Sequence, residues 1–400
     1  MLDEMSPHDD QLPLADTAGT PAAADQLDES RAAAIRAAVS EVFQIDQAKL
    51  NPDGEVAAVF TGRLLLESEA AFARLDERLA PLGLTPVFRE RGDQQTIQLL
   101  NVRFEPRPRA WWPNAVLFVL TVLSLLYTGA GIALGDAADP AKQLSEFWRG
   151  WPYALGLVLI LGAHELGHYF AARYHGVPVT LPYFIPLPFG FFGTLGAFIQ
   201  LRAPMRNRKA LLDIGAAGPL AGLVFAVPIL LIGLATAEVL PLPTESPFLL
   251  EGNSILYAAA KFITFGRVLP GNGADVWMNQ LVQAGWTGLF ITGLNLIPVG
   301  QLDGGHVAYT LLGDRARLLY LPIVGGLAVL AILVSEAWYL WVFLLLFFGR
   351  VYATPLDMVT PLDRRRQVIA VVALIVLILV FVPNPLQIVV PPQIGPLDAL

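Results

Sequence analysis

Apolar residues fall into two regimes along this chain. Between residues 28 and 106 they come at short, mixed spacings. "DESRAAAIRAAVSEVF" sets helix formers with apolar positions three and four apart, which predicts a helix. "EVAAVFTGRLLL" predicts a strand. "SEAAFARLDERLAPLG" predicts a second helix, with Ser68 placed to cap its start and Gly83 to end it. "TPVFRER", a "GD" turn and "QQTIQLLNVRF" predict a hairpin. The order strand, helix, strand, strand suggests a small α+β domain over 28–106. From residue 111 onward the apolar residues instead gather into long blocks. A membrane span needs about 20 of them, and about seven blocks qualify: 112–134, 151–172, 213–235, 277–298, 318–334, 337–353 and 367–384. The expected fold is thus a polytopic α-helical membrane domain over 111–400, behind the small α+β domain.

Between the second and third blocks lies "VTLPYFIPLPFGFFGTLGAFIQLRAP", apolar but interrupted by Pro182, Pro186, Pro188, Gly190, Gly193 and Gly196. Non-helical backbone at membrane depth needs cover from protein or a water-filled cavity, so this stretch is expected to be a re-entrant hairpin. Basic residues give an orientation. Arg107 and Arg109, then Arg206, Arg208 and Lys209, then Arg315 and Arg317, then Arg364, Arg365 and Arg366 fall on one side if the N-terminus is cytoplasmic. Trp111, Trp112, Trp148 and Trp151 flank blocks and read as interfacial anchors.

Composition agrees with this picture: 55% of the 400 residues are hydrophobic and only 15% charged. The net charge of −8 resides entirely in residues 1–110, which hold 19 acidic and 11 basic side chains. That argues against a nucleic-acid partner, which would need a basic footprint. Residues 1–27 are acidic, contain proline and lack periodicity, so they read as a disordered tail rather than a secretory or transit signal. Cysteine is absent, which removes disulfides, thiolate metal sites and a cysteine nucleophile.

The chemistry concentrates in "LGAHELGHYF" (Leu161–Phe170), at the end of the second block. On a helix His164 and His168 share a face, because residues four apart stack. Two imidazoles at that spacing can bind Zn²⁺, with Glu165 beside them as general base. Ionisable groups inside a membrane are costly, which favours a functional reading over a chance match. A catalytic zinc needs a third protein ligand. His8 lies in the tail, and His175 sits at the membrane edge as an interfacial residue. Asp303, in "NLIPVGQLDGGH", falls on the same expected membrane face as the two histidines and is the better candidate. Pro298 breaks the helix there, and Gly304 and Gly305 permit close backbone approach. In "GAAGPLAG", Gly215, Gly218 and Gly222 read as a tight helix-packing stripe.

His164, Glu165 and His168, followed by Asn295, Pro298, Leu302, Asp303 and Gly304, match HExxH and NxxPxxxLDG position by position. The chain therefore resembles the site-2 protease family of intramembrane zinc metalloproteases, over a core of roughly 150–305. It is similar in particular to the bacterial and plastid branch that carries a soluble N-terminal domain. The resemblance implies zinc held by His164, His168 and Asp303, with Glu165 as the catalytic base. It implies transmembrane protein substrates, unwound and held extended along the hairpin near Gly193 and Gly196. It also suggests that Asn295 hydrogen-bonds substrate backbone, against a plain role in helix–helix contact. The expected location is a bacterial-type inner membrane, and the N-terminal domain is open to a regulator or a dimer partner. Two other readings stand beside it: a transporter, which fits the block count but not the paired motifs, and a non-proteolytic membrane chaperone that retains a metal.

Overall fold

A computed structural model of the chain describes residues 29–50, 55–92, 94–104, 109–135 and 139–391. The tail expected over 1–27 and Asp93 of the expected hairpin turn lie outside the described residues. Contacts divide the chain into two compact units. One comprises the described residues within Met1–Glu105 together with Pro204–Arg208 and Ala353–Pro361.

This first unit runs α1 (Glu29–Ser40), β1 (Phe43–Leu50), β2 (Val56–Leu64), α2 (Ser68–Leu79), β3 (Thr85–Arg91) and β4 (Gln94–Leu100). The strands form one antiparallel sheet in the order β1-β2-β4-β3. The helix expected to reach Phe43 stops at Ser40, and the chain enters an additional strand, β1. Val42, Phe43 and Ile45 favour a pleated, half-buried surface, and Val42 and Phe43 are buried in the core. Ile35, Phe60, Phe72, Leu75 and Phe88 complete that core. Gly83 ends the second helical stretch with φ +71°, as expected.

Ser68 does not cap α2, whose N-cap is Glu67 and has no side-chain cap bond. Its hydroxyl instead donates to Asp357 Oδ2 at 2.9 Å. Strand β3 is the last strand of the sheet, and its outer edge is occupied by residues 356–358. Phe88 N donates to Leu356 O (2.8 Å), and Met358 N donates to Phe88 O (3.1 Å). A further segment lies outside that one, since Leu356 N and Asp357 N donate to Met205 O and Arg206 O at 2.9 and 2.8 Å. Asp357 is fully buried. Its carboxylate also accepts from Val359 N (2.8 Å), Thr360 N (3.1 Å) and the Thr360 hydroxyl. Arg89 Nη1 donates to Pro355 O (3.0 Å) and Leu356 O (2.9 Å). Leu356 and Val359 pack against the core. An edge strand that would offer unpaired backbone groups is thereby closed.

The second unit opens with α3 (Trp112–Leu134), a short α4 (Pro140–Ser145) and α5 (Trp151–Tyr174). The hairpin β5 (Tyr183–Pro186) and β6 (Thr194–Phe198) follows, then α6 (Arg208–Ala235). Next come β7 (Val239–Pro241), β8 (Phe248–Glu251), α7 (Ile255–Phe265) and β9 (Ala274–Val276). The unit ends with α8 (Gln280–Asn295), α9 (Asp303–Leu312), α10 (Tyr320–Leu333), α11 (Trp338–Phe348), α12 (Arg364–Val380) and β10 (Leu386–Val389). Among the described residues, four helical stretches are long and apolar enough to cross a membrane: Trp112–Leu134, Phe147–Tyr174, Arg208–Ala235 and Asp303–Leu333. Helices α8, α11 and α12 are shorter, at 16, 11 and 17 residues.

The stretch over 236–276, which falls between two of the expected apolar blocks, is folded. Strand β7 pairs with β9, and β8 pairs with β10 from the C-terminal end. Inside this cap Lys261 is fully buried. Its Nζ lies 2.9 Å from Asp275 Oδ1, 3.3 Å from Glu251 Oε1 and 4.3 Å from the centre of the Tyr257 ring. The Tyr257 hydroxyl donates to Glu251 at 3.0 Å. Burial holds the Glu251 carboxyl above its usual range, against the pull of the Lys261 ammonium, while Asp275 adds to the rise.

Two outcomes follow from these clusters. Asp357→Ala would leave two hydroxyls and two amides without their acceptor. It should lower the stability of the first unit by about 1–3 kcal/mol, read as faster hydrogen exchange at Phe88 and Met358. For Glu251 the folded pKa is raised, so the folded cap binds a proton that the unfolded chain has already released. Its contribution is therefore fully present below the unfolded carboxylate value and is lost as pH rises through the folded one. Exchange protection of residues 248–276 should increase on acidification through that window, and Glu251→Gln should flatten the dependence.

Candidate metal centre and its cleft

Helix α5 positions the first pair of donors. His164 and His168 are both buried, and their Nε2 atoms lie 3.1 Å apart. The third donor comes from beyond a break. Helix α8 ends at Asn295, the chain turns through residues 296–302, and α9 opens with Asp303 in its first turn. A carboxylate there faces the positive end of the helix. The turn can be this tight because Gly304 and Gly305 carry no side chain. A Cβ would lie 1.8 Å from Leu296 O at Gly304 and 2.3 Å from Gly300 O at Gly305. As a result Asp303 Oδ2 reaches His164 Nε2 and Asp303 Oδ1 reaches His168 Nε2, each at 3.3 Å.

These three side chains can hold a metal ion. A tetrahedral cation bound at about 2.0–2.1 Å has donor-to-donor edges of roughly 3.3–3.4 Å. The observed 3.1, 3.3 and 3.3 Å fit that figure. His168 Nδ1 lies 2.6 Å from the Ile214 carbonyl, to which it can donate. That bond fixes the ring and leaves Nε2 with its lone pair toward the centre. Helix α6 approaches the histidines closely. A Cβ on Gly218 would fall 2.0 Å from His168 Nε2, and one on Gly222 3.2 Å from His164 Cβ.

Glu165 is buried beside this triad, and its Oε2 makes no hydrogen bond to protein. The oxygen is free to take a bond from something that enters the site. A cavity of about 80 Å³ opens there, lined on its polar side by His164, Glu165, Gly196 and Asn295. Its apolar side is formed by Leu161, Leu195, Ala197, Ile291, Leu294 and Trp341. Asn295 Nδ2 lies 3.4 Å from His164 Nε2.

The hairpin is held from three helices, α3, α5 and α8. Asn114 of α3 donates to Leu181 O (2.7 Å) and Pro182 O (3.1 Å), and Ser124 donates to Gly193 O (2.6 Å). Tyr153 of α5 donates to Phe192 O at 2.8 Å. Phe192 stacks on Trp286 and Phe290 of α8, at 6.3 and 5.7 Å between ring centres. Gly193 and Gly196 both have positive φ, +70° and +98°. Gly196 lines the cavity. Gly193 precedes β6 and is not among the cavity-lining residues.

Residues 152–332 match peptidase family M50. Over that stretch the chain is similar to that family. It comprises the site-2 proteases, and the matched region takes in both motifs that suggested the resemblance. Curated relatives agree. The chain is 31% identical over 278 residues to "Probable zinc metalloprotease EGY2, chloroplastic" of Oryza sativa subsp. indica, covering 69% of this chain and 50% of that protein. The Arabidopsis thaliana protein of the same name is 31% identical over 280 residues, covering 68% and 49%. "Probable zinc metalloprotease EGY1, chloroplastic" of Arabidopsis thaliana is 30% identical over 308 residues, covering 70% and 55%. The chain thus spans about half the length of the first of these relatives. The M50 match and the four helical stretches long and apolar enough to cross a membrane support a multi-pass integral membrane protein.

Two features of the site were not anticipated from sequence. His175, expected at the interface, sits 2.8 Å from Asp213 Oδ2, and Arg366 Nη2 grips the same oxygen at 2.6 Å. Trp341 sits in an all-apolar run that carries no motif, so nothing in the sequence marked it as part of a cleft.

Loss of one donor tests the triad directly. Asp303→Ala should lower metal affinity at least tenfold and leave the helices inserted, since the carboxylate is one of three donors. Equilibrium dialysis against a zinc buffer reads the change.

Proposed function

We propose that this chain is an intramembrane zinc metalloprotease that hydrolyses peptide bonds within or near transmembrane helices of membrane-protein substrates. The observation that carries the reading is the meeting of two α5 imidazoles and the α9 carboxylate beside a buried, unpartnered Glu165 oxygen. His164, His168 and Asp303 would hold the zinc; their nitrogen and oxygen donors suit it. When bound, zinc lowers the pKa of water toward neutrality and polarises a carbonyl. Glu165 takes the water's proton and delivers it to the departing amine. Asn295 and Gly196 border the cleft, where an extended substrate backbone would run along β6 as an added strand. Gly193 contributes by shaping the turn into β6 rather than by lining the cleft.

On this reading the membrane domain spans residues 111–400, with its catalytic core at 150–305 and about seven membrane passes. Helices α8 and α12 reach about 24–26 Å at 1.5 Å per residue, which is short of a span but close to it. The N-terminus faces the cytoplasm of a bacterial-type inner membrane, because the basic loops share that side. The N-terminal domain receives a regulator or a partner copy. A transporter would need neither the triad nor the free glutamate.

Glu165→Gln decides between proteolysis and a metal-bearing chaperone. The variant keeps its zinc and its fold but loses a factor of about 10² to 10⁴ in cleavage of a reconstituted transmembrane substrate. Equal turnover by both forms would remove Glu165 from the chemistry.

A further inference from the structure

The cavity beside Glu165 has an apolar wall that includes Leu161, Ile291, Leu294 and Trp341, and Trp341 is the largest of them. His164 and Glu165 are fixed by the chemistry proposed for them. Gly196 and its neighbours on β6 belong to a strand whose backbone geometry is set by its pairing with β5. Trp341 contributes only volume. It stands on α11, one turn after Trp338, and Trp338 is buried and pinned: its Nε1 donates to Pro383 O at 2.7 Å, and its ring stacks on Phe381 at 5.2 Å. The helix that carries Trp341 is therefore anchored, and the indole projects from a fixed base onto the cleft.

The available space is small. At about 80 Å³ it is about half the size of the roughly 150 Å³ apolar cavity that can hold a benzene ring. Apart from His164, Glu165 and Asn295, the side chains that line it are apolar and offer no bond to a polar side chain. We infer that Trp341 sets the size of the substrate side chain accepted beside the scissile bond, admitting small residues and rejecting branched and aromatic ones. This rests on the proteolytic reading above and adds to it a selectivity that none of the motifs encodes.

The test uses the full-length chain in lipid vesicles with a pooled set of single-pass helices that differ in side-chain size at successive positions. Cuts are mapped by mass spectrometry. Wild type should cut next to Gly, Ala or Ser, at least tenfold over Leu or Phe, in line with the 10- to 200-fold that a misfitted pocket imposes. The series W341F, W341L and W341A should relax that ratio in the order of volume released, with W341A lowering it about tenfold. Bound zinc, measured in parallel, certifies the fold of each variant, and W341F keeps the series readable if the smaller residues unfold. An unchanged ratio across zinc-loaded variants overturns the inference and leaves the protease reading intact. So does a wild type that cuts beside Leu or Phe as readily as beside Ala. A zinc-loaded wild type that cuts nothing overturns both.

Discussion

Three side chains that would each be costly to bury alone are held with donor atoms 3.1–3.3 Å apart inside an apolar helical unit. Much of the second unit follows from that requirement. The two histidines need a continuous helix, so that a four-residue separation becomes one face. The aspartate needs the opposite, a broken helix, so that a carboxylate can point back from a helix start. The break is possible only where glycines let backbone touch backbone, at Gly304 and Gly305. The histidine face in turn needs a neighbour without side chains, and α6 supplies it at Gly218 and Gly222. These glycines are steric conditions for the centre and carry no chemistry of their own.

The hairpin answers a second constraint. Irregular backbone among apolar helices leaves carbonyls that need donors. Asn114, Ser124 and Tyr153 supply them, to Leu181, Pro182, Gly193 and Phe192. Stacking of Phe192 against Trp286 and Phe290 then fixes the tip. The strand that borders the cleft is thus held from α3, α5 and α8 together, a rigid edge rather than a loose loop.

What the sequence disclosed follows the range of the interactions involved. Spacing within one helix was legible, as at His164 and His168, because it depends on four residues of known geometry. The placement of Asp303 was legible through topology and through the motif around it. The long apolar blocks were visible, though their ends were not. The block expected over 277–298 ends at Asn295, because the turn that delivers Asp303 starts there. The helix expected to run through Phe43 ends at Ser40, and β1 behind it carries no clear signal because its residues follow directly on an alanine-rich run. Ser68 was read as a local cap because serine before a helix normally is one. Its partner, Asp357, lies 289 residues away, and no local pattern reports a bond of that separation. Trp341 was invisible for a related reason: one tryptophan in an apolar run looks the same whether it meets lipid or a cleft.

That separation also has a consequence in time. The edge of β3 is closed by residues 356–358, so the sheet of the first unit cannot be finished while only its own strands exist. At about 5–20 residues per second, the stretch between Leu100 and Asp357 takes roughly 13–50 s to synthesise. Through that interval Phe88 presents unpaired backbone groups, and the core lacks Leu356 and Val359. An open strand edge of this kind invites pairing between copies, and the excess of acidic residues before position 110 gives those copies a like charge that opposes it.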